Sequence, residues 1–416
     1  MICTKRVRDL FWVASLLAGH SCIFAAATLD MAEWGYLYPH SLVVMGQLPS
    51  QSAIKSTKIL SEDERTSGYS PSSTARLPSN NEATPETMYL YNWLAKLTGK
   101  TLLGVSEESE ILLQEFGVKP ALLGVEYYDY GDVERRLKDR EAARNKMIEH
   151  CAAGGVVSLH DHMYNFSGVK RRDYSPKEKL GLRDRSFLPL EELLPGGILA
   201  DDYRAYLKRL AIFIKDIRAN GVSCPVLFRP FHEMNGRWFW WGGEENAEKL
   251  VQVWRHTHTV LVREEKLNNI IWVWSPSVHR QNTDPKYDKY WPGRKYVDIV
   301  GLDGYDNEVG GSFSTTFFYN SYQAMMEIAN REQLPFAWTE IGFAESGRQV
   351  QNFWTDDVLT RLRVDYPGSK YFLIWHGKWL PRIDTVAGQS ARKMMLDDFV
   401  ITLDRMNPAE VYGIKH

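Results

Sequence analysis

The chain has 416 residues, of which 44% are hydrophobic, which is enough for one large domain or two ordinary ones. Its formal net charge is −2, so composition gives no basic surface of the kind that binds nucleic acid or an anionic membrane. Fourteen Trp and 21 Tyr indicate either a large aromatic core or a surface that stacks on flat, partly apolar ligands such as sugars.

The first 27 residues have the pattern of an export signal. A basic start with Lys5, Arg6 and Arg8 precedes an apolar run that ends near an Ala-rich cleavage site at 25–27. The run is too short and too polar for a stable membrane span, and the residues before Cys22 fit lipid attachment poorly. We therefore expect a secreted or periplasmic protein, with lipid anchoring less favoured.

Two cysteines, Cys151 and Cys224, remain in the mature chain. The sequence leaves open whether they form one disulfide or two buried thiols, and it contains no C-x-x-C pair for structural zinc. Residues 28–84 are rich in Ser, Thr, Asn and Pro, which predicts a polar arm or linker that packs weakly on the rest. The catalytic domain is predicted over 85–410, and we expect a monomer.

An ordered helix is predicted from Pro85, with Thr84 as its cap and Gly99 after its end. Eight apolar strands then alternate with helices. The strands are predicted at 101–105, 121–128, 154–160, 225–233, 269–275, 296–305, 335–342 and 370–377. Helices are expected between them, including one that reaches residue 221, and a final helix from about Ala391 to Met406.

This alternation favours a (β/α)8 barrel, that is, an α/β TIM barrel with a single catalytic domain. A doubly wound open sheet is the rival, but no G-x-G-x-x-G follows the first strand. Polar residues gather where the strands end, at Glu126, His160, His232-Glu233, Ser275, Asp303-Tyr305, Glu340 and Trp375-His376. In a barrel these ends share the face that carries the active site.

Glu233 and Glu340 end the fourth and seventh predicted strands, where they can face each other across the barrel mouth. Two such carboxyls suit glycoside hydrolysis, one as proton donor and one as nucleophile or base. The aromatic segment that follows Glu233 favours the neutral acid there. Arg229 lies four residues before Glu233 on the same strand face and can hold a carboxylate, and Tyr305 can donate to Glu340.

Two motifs admit other interpretations. The WFWW run at 238–241 lies among glycines, so we interpret it as a loop that exposes aromatic rings for binding rather than as core. His160 and His162 form an H-x-H pair at a strand end, but His376 is the only late residue that can complete a metal site there. We therefore expect no metal and no cofactor in the reaction.

The segment RPFHEMNGRWFWWG resembles the acid/base motif of glycoside hydrolase family 26, most of whose members are β-mannanases. Further similar pieces are YLYNWLAKLTGKTLLGV, LLPGG, WVWSP, KYWPGRKYVDIVGLDGYD and WTEIG, so the resemblance covers about residues 85–406. It implies hydrolysis with retained configuration, Glu233 as acid/base and Glu340 as nucleophile. It also implies that five residues bind the sugar: His160, His232, Trp238, Tyr305 and Trp375.

The chain departs from the family pattern at the third strand, where Leu159-His160 replaces the usual Trp-His, and in the long basic loop 163–187. The expected activity is a secreted endo-β-1,4-mannanase acting on mannan, galactomannan or glucomannan. The first alternative keeps the mechanism and changes the polymer to β-1,3-xylan or mixed-linkage β-glucan. The others are a barrel that binds polysaccharide without cleaving it, and a metal-dependent hydrolase using His160 and His162.

Overall fold

The computed structural model describes residues 78–128, 133–163, 190–280, 285–306, 312–343 and 349–413. The predicted signal at 1–27, most of the predicted arm and most of the basic loop lie outside these residues. Among the described helices, none has the length and apolar character needed to cross a membrane.

A closed barrel of eight parallel strands forms the centre of the described chain. The sheet runs in chain order from β1 to β8, and β8 pairs with β1 through Leu103 and Phe372. This closure confirms the predicted TIM barrel and excludes the open sheet. The strands are β1 Thr101–Ser106, β2 Leu122–Glu126, β3 Val156–His160, β4 Val226–Arg229, β5 Ile270–Trp274, β6 Ile299–Asp306, β7 Phe336–Phe343 and β8 Ser369–Ile374.

The strands are almost entirely buried, as expected for parallel strands enclosed by helices. Thr84 caps the first helix through its side-chain oxygen, which accepts the backbone N–H of Thr87, and Pro85 occupies the first turn. The described α-helices are α1 Pro85–Lys96, α2 Ser109–Phe116, α3 Val133–Ala152, α4 Ala200–Lys215, α5 Ala247–Thr259, α6 Thr316–Glu332, α7 Thr360–Val364, α8 Gly388–Leu396 and α9 Pro408–Tyr412.

The helix predicted to reach residue 221 ends earlier, at Lys215. A small antiparallel hairpin follows, in which Arg218–Ala219 pairs with Val222–Ser223. Its turn residues Asn220 and Gly221 both have positive φ, 52° and 78°, which is the backbone that an Asn-Gly hairpin turn requires. The Asn-Gly pair was the sequence signal for this turn, and the helical interpretation overlooked it.

The final helix predicted over 391–406 is also wrong in its second half. Helix α8 ends at Leu396, and Val400–Ile401 forms a short parallel strand against the start of β1. Asp397 ends the helical path, because its side chain accepts the backbone N–H of Phe399 in a local turn. The apolar pair Val400–Ile401 is therefore sheet rather than helix.

A disulfide joins Cys151, at the end of α3, to Cys224, just before β4. The sequence had left this pairing open. The bond ties a peripheral helix to the start of the strand that leads into the proposed active site. It closes a loop with a sequence separation of 73 residues.

The last residues of the predicted arm contact the barrel rather than packing weakly. Ser79 donates through both its backbone N–H and its hydroxyl to the buried carboxylate of Asp298. The side-chain amide of Asn80 donates to the carbonyl of Leu267 at 3.2 Å and to Asn268 at 3.0 Å. The weak packing expected for residues 28–84 therefore does not hold at residues 79 and 80.

Candidate active site

Two glutamates face each other at the carboxyl-terminal end of the barrel. Glu340 lies within β7, and Glu233 lies four residues beyond the end of β4. A carboxylate oxygen of each lies within 4.8 Å of the other and of an oxygen of Asp303. Phe231 and Glu233 both have positive φ, 49° and 54°, an unusual backbone for residues with a side chain. Such strain is typical of functional sites, and here the backbone N–H of Glu233 donates to the carbonyl of Ser275 at 2.8 Å.

Arg229 is a buried cation between two acidic side chains. Its Nη1 donates to Asp303 Oδ2 at 2.6 Å, and its Nη2 donates to Glu340 Oε1. Tyr305 donates its hydroxyl to the other oxygen, Glu340 Oε2, at 2.5 Å. Both oxygens of Glu340 therefore have fixed donors, which orients this carboxylate in the site.

Glu233 has a different environment from Glu340. Burial raises the pKa of Glu233 to about 7, and the nearby charge of Glu340 acts in the same direction. Trp238 donates its indole N–H to Glu233 Oε2, which lowers the pKa but does not outweigh the burial. A glutamic acid that keeps its proton near neutral pH is suited to general acid catalysis.

The aromatic loop after Glu233 is mostly core, contrary to the prediction that its rings are exposed. Only Trp238 has a substantially exposed side chain, at 44%, whereas Phe239, Trp240 and Trp241 are buried. Trp241 donates to the carbonyl of His232 at 3.0 Å and so braces the strained segment. The glycine that follows this run, Gly242, allows a close approach, because an added Cβ would lie 2.4 Å from the carbonyl oxygen of Gly236.

An open cleft of about 490 Å3 contains the two glutamates. Of the residues predicted to bind sugar, His232, Trp238, Tyr305 and Trp375 line it. Trp379 and Arg280 also line the cleft, although no sequence pattern marks them as site residues. Trp379 lies 5.2 Å from the ring of Tyr305, in a short 3-10 turn after β8 that no strand-end pattern marks.

His160 lies beneath the cleft rather than on its surface. Its side chain is 2% exposed, its ring lies 4.9 Å from that of Trp375, and its Nε2 is 3.3 Å from Glu126. His162, which the sequence suggested only as a metal ligand, is the histidine of this pair that reaches the cleft. Its Nδ1 contacts Glu126, and its Nε2 lies 3.3 Å from Nε2 of His232.

The protonation of these side chains follows from burial and charge. The pKa of Glu126 is held below its usual range despite burial, because His162 and His160 stabilise its charge. Burial lowers the pKa of His162, but the adjacent Glu126 outweighs it and the net shift is upward. Burial and the charge of Arg229 lower the pKa of His232 well below its ordinary value, so this ring is neutral.

His376, which the sequence suggested as a further ligand in a metal-dependent hydrolase, does not belong to the group that contains His160 and His162. Nδ1 of His376 is 3.3 Å from the hydroxyl of Ser106, and the side chain that groups with His160 and His162 is Glu126.

The comparisons with known proteins agree with this architecture. The model of glycosyl hydrolase family 26 matches residues 79–405. A mannan endo-1,4-beta-mannosidase A and B from Caldalkalibacillus mannanilyticus is 30% identical over 331 residues, which are 73% of this chain and 58% of that protein. A mannan endo-1,4-beta-mannosidase from Bacillus subtilis is 28% identical, covering 73% of this chain and 82% of the relative. The chain thus spans less than two thirds of the length of the first of these relatives.

Solved structures share the fold. GH26C from a Muricauda species superposes with a TM-score of 0.72 at 22% identity, covering 82% of this chain and 98% of that one. The catalytic domain of an endo-beta-1,4-mannanase from a Bacillus species superposes with a TM-score of 0.71 at 22% identity, covering 81% and 96%. Since the family model matches most of the sequence, the chain belongs to glycosyl hydrolase family 26.

Proposed function

We propose that this glycoside hydrolase is an endo-β-1,4-mannanase that retains anomeric configuration, with Glu233 as acid/base and Glu340 as nucleophile. The observation that carries the proposal is the short approach of the two carboxyls, whose oxygens lie within 4.8 Å. Retaining enzymes separate these groups by about 5–5.5 Å, whereas inverting enzymes leave about 6.5–9.5 Å for a water molecule.

In the first step, Glu233 gives its proton to the glycosidic oxygen as the bond to the anomeric carbon breaks. Glu340 attacks that carbon from the opposite side and forms a covalent glycosyl-enzyme. In the second step, the Glu233 carboxylate takes a proton from water, and the resulting attack releases Glu340. Arg229 and Tyr305 hold the Glu340 oxygens in place for attack in the first step and receive them again in the second.

The sugar is proposed to lie on the aromatic walls of the cleft. The exposed ring of Trp238 and the half-buried Trp375 offer stacking surfaces, and His232 and Tyr305 offer polar contacts. His160 was expected to touch the sugar, but its burial favours a supporting role beneath Trp375.

The choice of mannan rests on the relatives, which are named as mannan endo-1,4-beta-mannosidases. β-1,3-Xylan and mixed-linkage β-glucan remain the alternatives for the polymer. A binding-only barrel is disfavoured because both carboxyls are present and the pKa of Glu233 suits a proton donor.

The test is a substrate panel of linear mannan, galactomannan, glucomannan, β-1,3-xylan and lichenan, with products sized by chromatography. We expect mannan to be cleaved internally, giving a range of oligosaccharides from early times. Glu340→Ala serves as the matched control for contaminating activity. Turnover of lichenan or β-1,3-xylan without turnover of mannan would overturn the substrate assignment.

We further propose that the chain is exported as a monomer after cleavage near residue 27, with residues 28–84 as an arm before the catalytic domain at 85–410. The disulfide supports export, because such bonds persist in oxidising compartments. The mass of the mature protein, recovered from medium or periplasm, tests the cleavage site. A chain that keeps residues 1–27 would contradict the proposal.

A further inference from the structure

The ring of Tyr305, the donor to the proposed nucleophile, contacts two residues that the proposed hydrolytic steps do not use. Its centroid lies 5.2 Å from that of the Trp379 ring, with an angle of 58° between the two planes. Across the sheet, Tyr305 is the register partner of Gly342, which follows Glu340 by two residues on β7. Tyr305 therefore packs against an indole and over a glycine, beside the carboxylate that it contacts.

Gly342 leaves the space that the tyrosine ring fills. A Cβ added at this position would lie 2.5 Å from two ring carbons of Tyr305 and 2.9 Å from Cδ2 of Trp379, which is too close for either ring to stay in place. The backbone itself makes no such demand, because Gly342 lies within β7 and does not have positive φ. The glycine is therefore explained by the close approach of the two rings.

Trp379 is poorly placed to stack on a sugar, although it lines the cleft. Its ring is half-buried, and Nζ of Lys378 lies over it, 4.4 Å from the ring centroid. A sugar that stacked on this face would first have to displace the lysine. Trp238, by contrast, has 44% of its side chain exposed at the cleft. The contacts of Trp379 thus favour a packing role against Tyr305.

The rest of Tyr305 is prepared to donate a proton in one direction. Its carbonyl accepts a hydrogen bond from Nη2 of Arg280 at 2.5 Å, which fixes the backbone. Burial and the nearby charge of Glu340 raise the pKa of the phenol well above its ordinary value, so the hydroxyl keeps its proton. The remaining freedom is the orientation of the ring, and packing against a neighbouring side chain is what restricts such a torsion.

We propose that Trp379 and Gly342 are positioning residues, which hold the ring of Tyr305 so that its hydroxyl reaches Oε2 of Glu340. Arg229 holds the other oxygen, so the tyrosine completes the orientation of this carboxylate. A displacement of about 1 Å at a reacting group can cost about 10²-fold in rate. The effect on catalysis rests on the proposed function, in which Glu340 is the nucleophile, whereas the effect on the hydrogen bond does not.

A double-mutant cycle measured on linear mannan tests whether Trp379 acts through Tyr305. Tyr305→Phe removes the hydroxyl and should lower kcat about tenfold or more, as expected for loss of a hydrogen bond to a charged group. Trp379→Leu should lower kcat about fivefold, with KM changed less than about twofold. In the Tyr305→Phe background the same substitution should lower kcat less than about twofold, because no hydroxyl is left to misplace.

Two further variants serve as controls. Trp379→Phe keeps a ring against Tyr305 and should restore most of the kcat that Trp379→Leu loses. Trp375→Phe alters a ring that is proposed to contact the sugar and that packs on His160 and His376 instead. Its effect should appear mainly in KM and should multiply with that of Tyr305→Phe. A sugar-binding role for Trp379 predicts this second behaviour for Trp379→Leu as well.

Crystal structures of Trp379→Leu and Gly342→Ala give a measurement that needs no substrate. In both variants the hydroxyl of Tyr305 should lie more than about 3.5 Å from Glu340, beyond hydrogen-bonding distance. A wild-type enzyme that cleaves no polysaccharide in the panel would refute the proposed function, and the two structures would still decide the positioning role. An unmoved hydroxyl in both variants would overturn the inference. So would a Trp379→Leu effect that multiplies in full with Tyr305→Phe or appears mainly in KM.

Discussion

The indole N–H of Trp238 donates a hydrogen bond to the carboxyl of Glu233, while 44% of the same side chain is exposed at the cleft. One residue therefore both offers a stacking surface and contacts the proposed proton donor. Because the hydrogen bond favours the charged carboxylate, it lowers the pKa that burial and Glu340 raise. The pKa of about 7 reflects this balance.

Trp238→Phe should move the alkaline limb of the kcat/KM profile to higher pH. Loss of the donor removes stabilisation of the Glu233 carboxylate, so its pKa rises and the protonated form persists to higher pH. A hydrogen bond to a charged group is worth about 1.5–3 kcal/mol, so the expected shift is roughly one pH unit. The measurement is kcat/KM from pH 4 to 10.

Trp375→Phe is the matched control, since this ring lines the same cleft and contacts His160 and His376. It should raise KM with no comparable displacement of the alkaline limb. An unshifted limb in Trp238→Phe, or a downward shift, would contradict the role assigned to the indole.

The barrel could be predicted because its eight strands are apolar runs at regular spacing, and because polar residues follow them. The pairing of Arg229 with both Asp303 and Glu340 could be anticipated only in part, since period-two alternation gives the face but not the partner. The burial of Trp240 and Trp241 was not predictable, because a segment flanked by glycines is typical of an exposed loop. Here the segment folds into the core. The contact between Glu126 and His162 depends on barrel closure and strand register, which local patterns do not specify.

Arg229→Met should lower the free energy of unfolding by about 3–5 kcal/mol and abolish most activity. The substitution removes the cation between two buried carboxylates and leaves both without their partner. Urea denaturation followed by Trp fluorescence gives the stability. Lys249→Met removes an exposed cation paired with Glu191 and should cost no more than about 1 kcal/mol. Equal losses in the two variants would argue against a special role for the buried ion pair.

Replacing both Cys151 and Cys224 by Ser should reduce stability by about 2–5 kcal/mol, because the bond closes a long loop in the unfolded chain. The thermal midpoint of the variant should match that of reduced wild type and lie below that of oxidised wild type. Activity at low temperature should change little, since the bond lies away from the cleft. An unchanged midpoint on reduction would show that the disulfide does not stabilise the fold.

Two deletions distinguish the contribution of the arm to stability from that of its last residues. Removing residues 28–77 should leave the thermal midpoint and activity nearly unchanged, as expected for a polar segment. Removing residues 28–80 also takes away Ser79 and Asn80, which leaves the buried Asp298 with fewer donors and should lower the midpoint by several degrees. A large loss in the shorter deletion would show that the arm itself is structural.

Glu340→Ala and Glu233→Ala should respond differently to substrate and to azide. Without Glu340 no glycosyl-enzyme can form, so every substrate should be lost. Without Glu233 the leaving group receives no proton, but a dinitrophenyl glycoside hardly needs one. Its first step should survive in Glu233→Ala, and the covalent intermediate should accumulate because no base activates water. Intact-protein mass spectrometry and burst kinetics detect that intermediate.

Azide distinguishes the two roles by the stereochemistry of the product. In Glu233→Ala it attacks the glycosyl-enzyme without needing a base, so turnover should return with retained configuration. In Glu340→Ala azide can replace only the missing nucleophile by direct attack, which gives the opposite configuration. General acid catalysis is typically worth about 10²–10⁴ in rate, so each substitution should lower hydrolysis of mannan by more than tenfold. Interchanged behaviour of the two variants, or smaller losses in both, would refute the assignment of acid/base to Glu233 and nucleophile to Glu340.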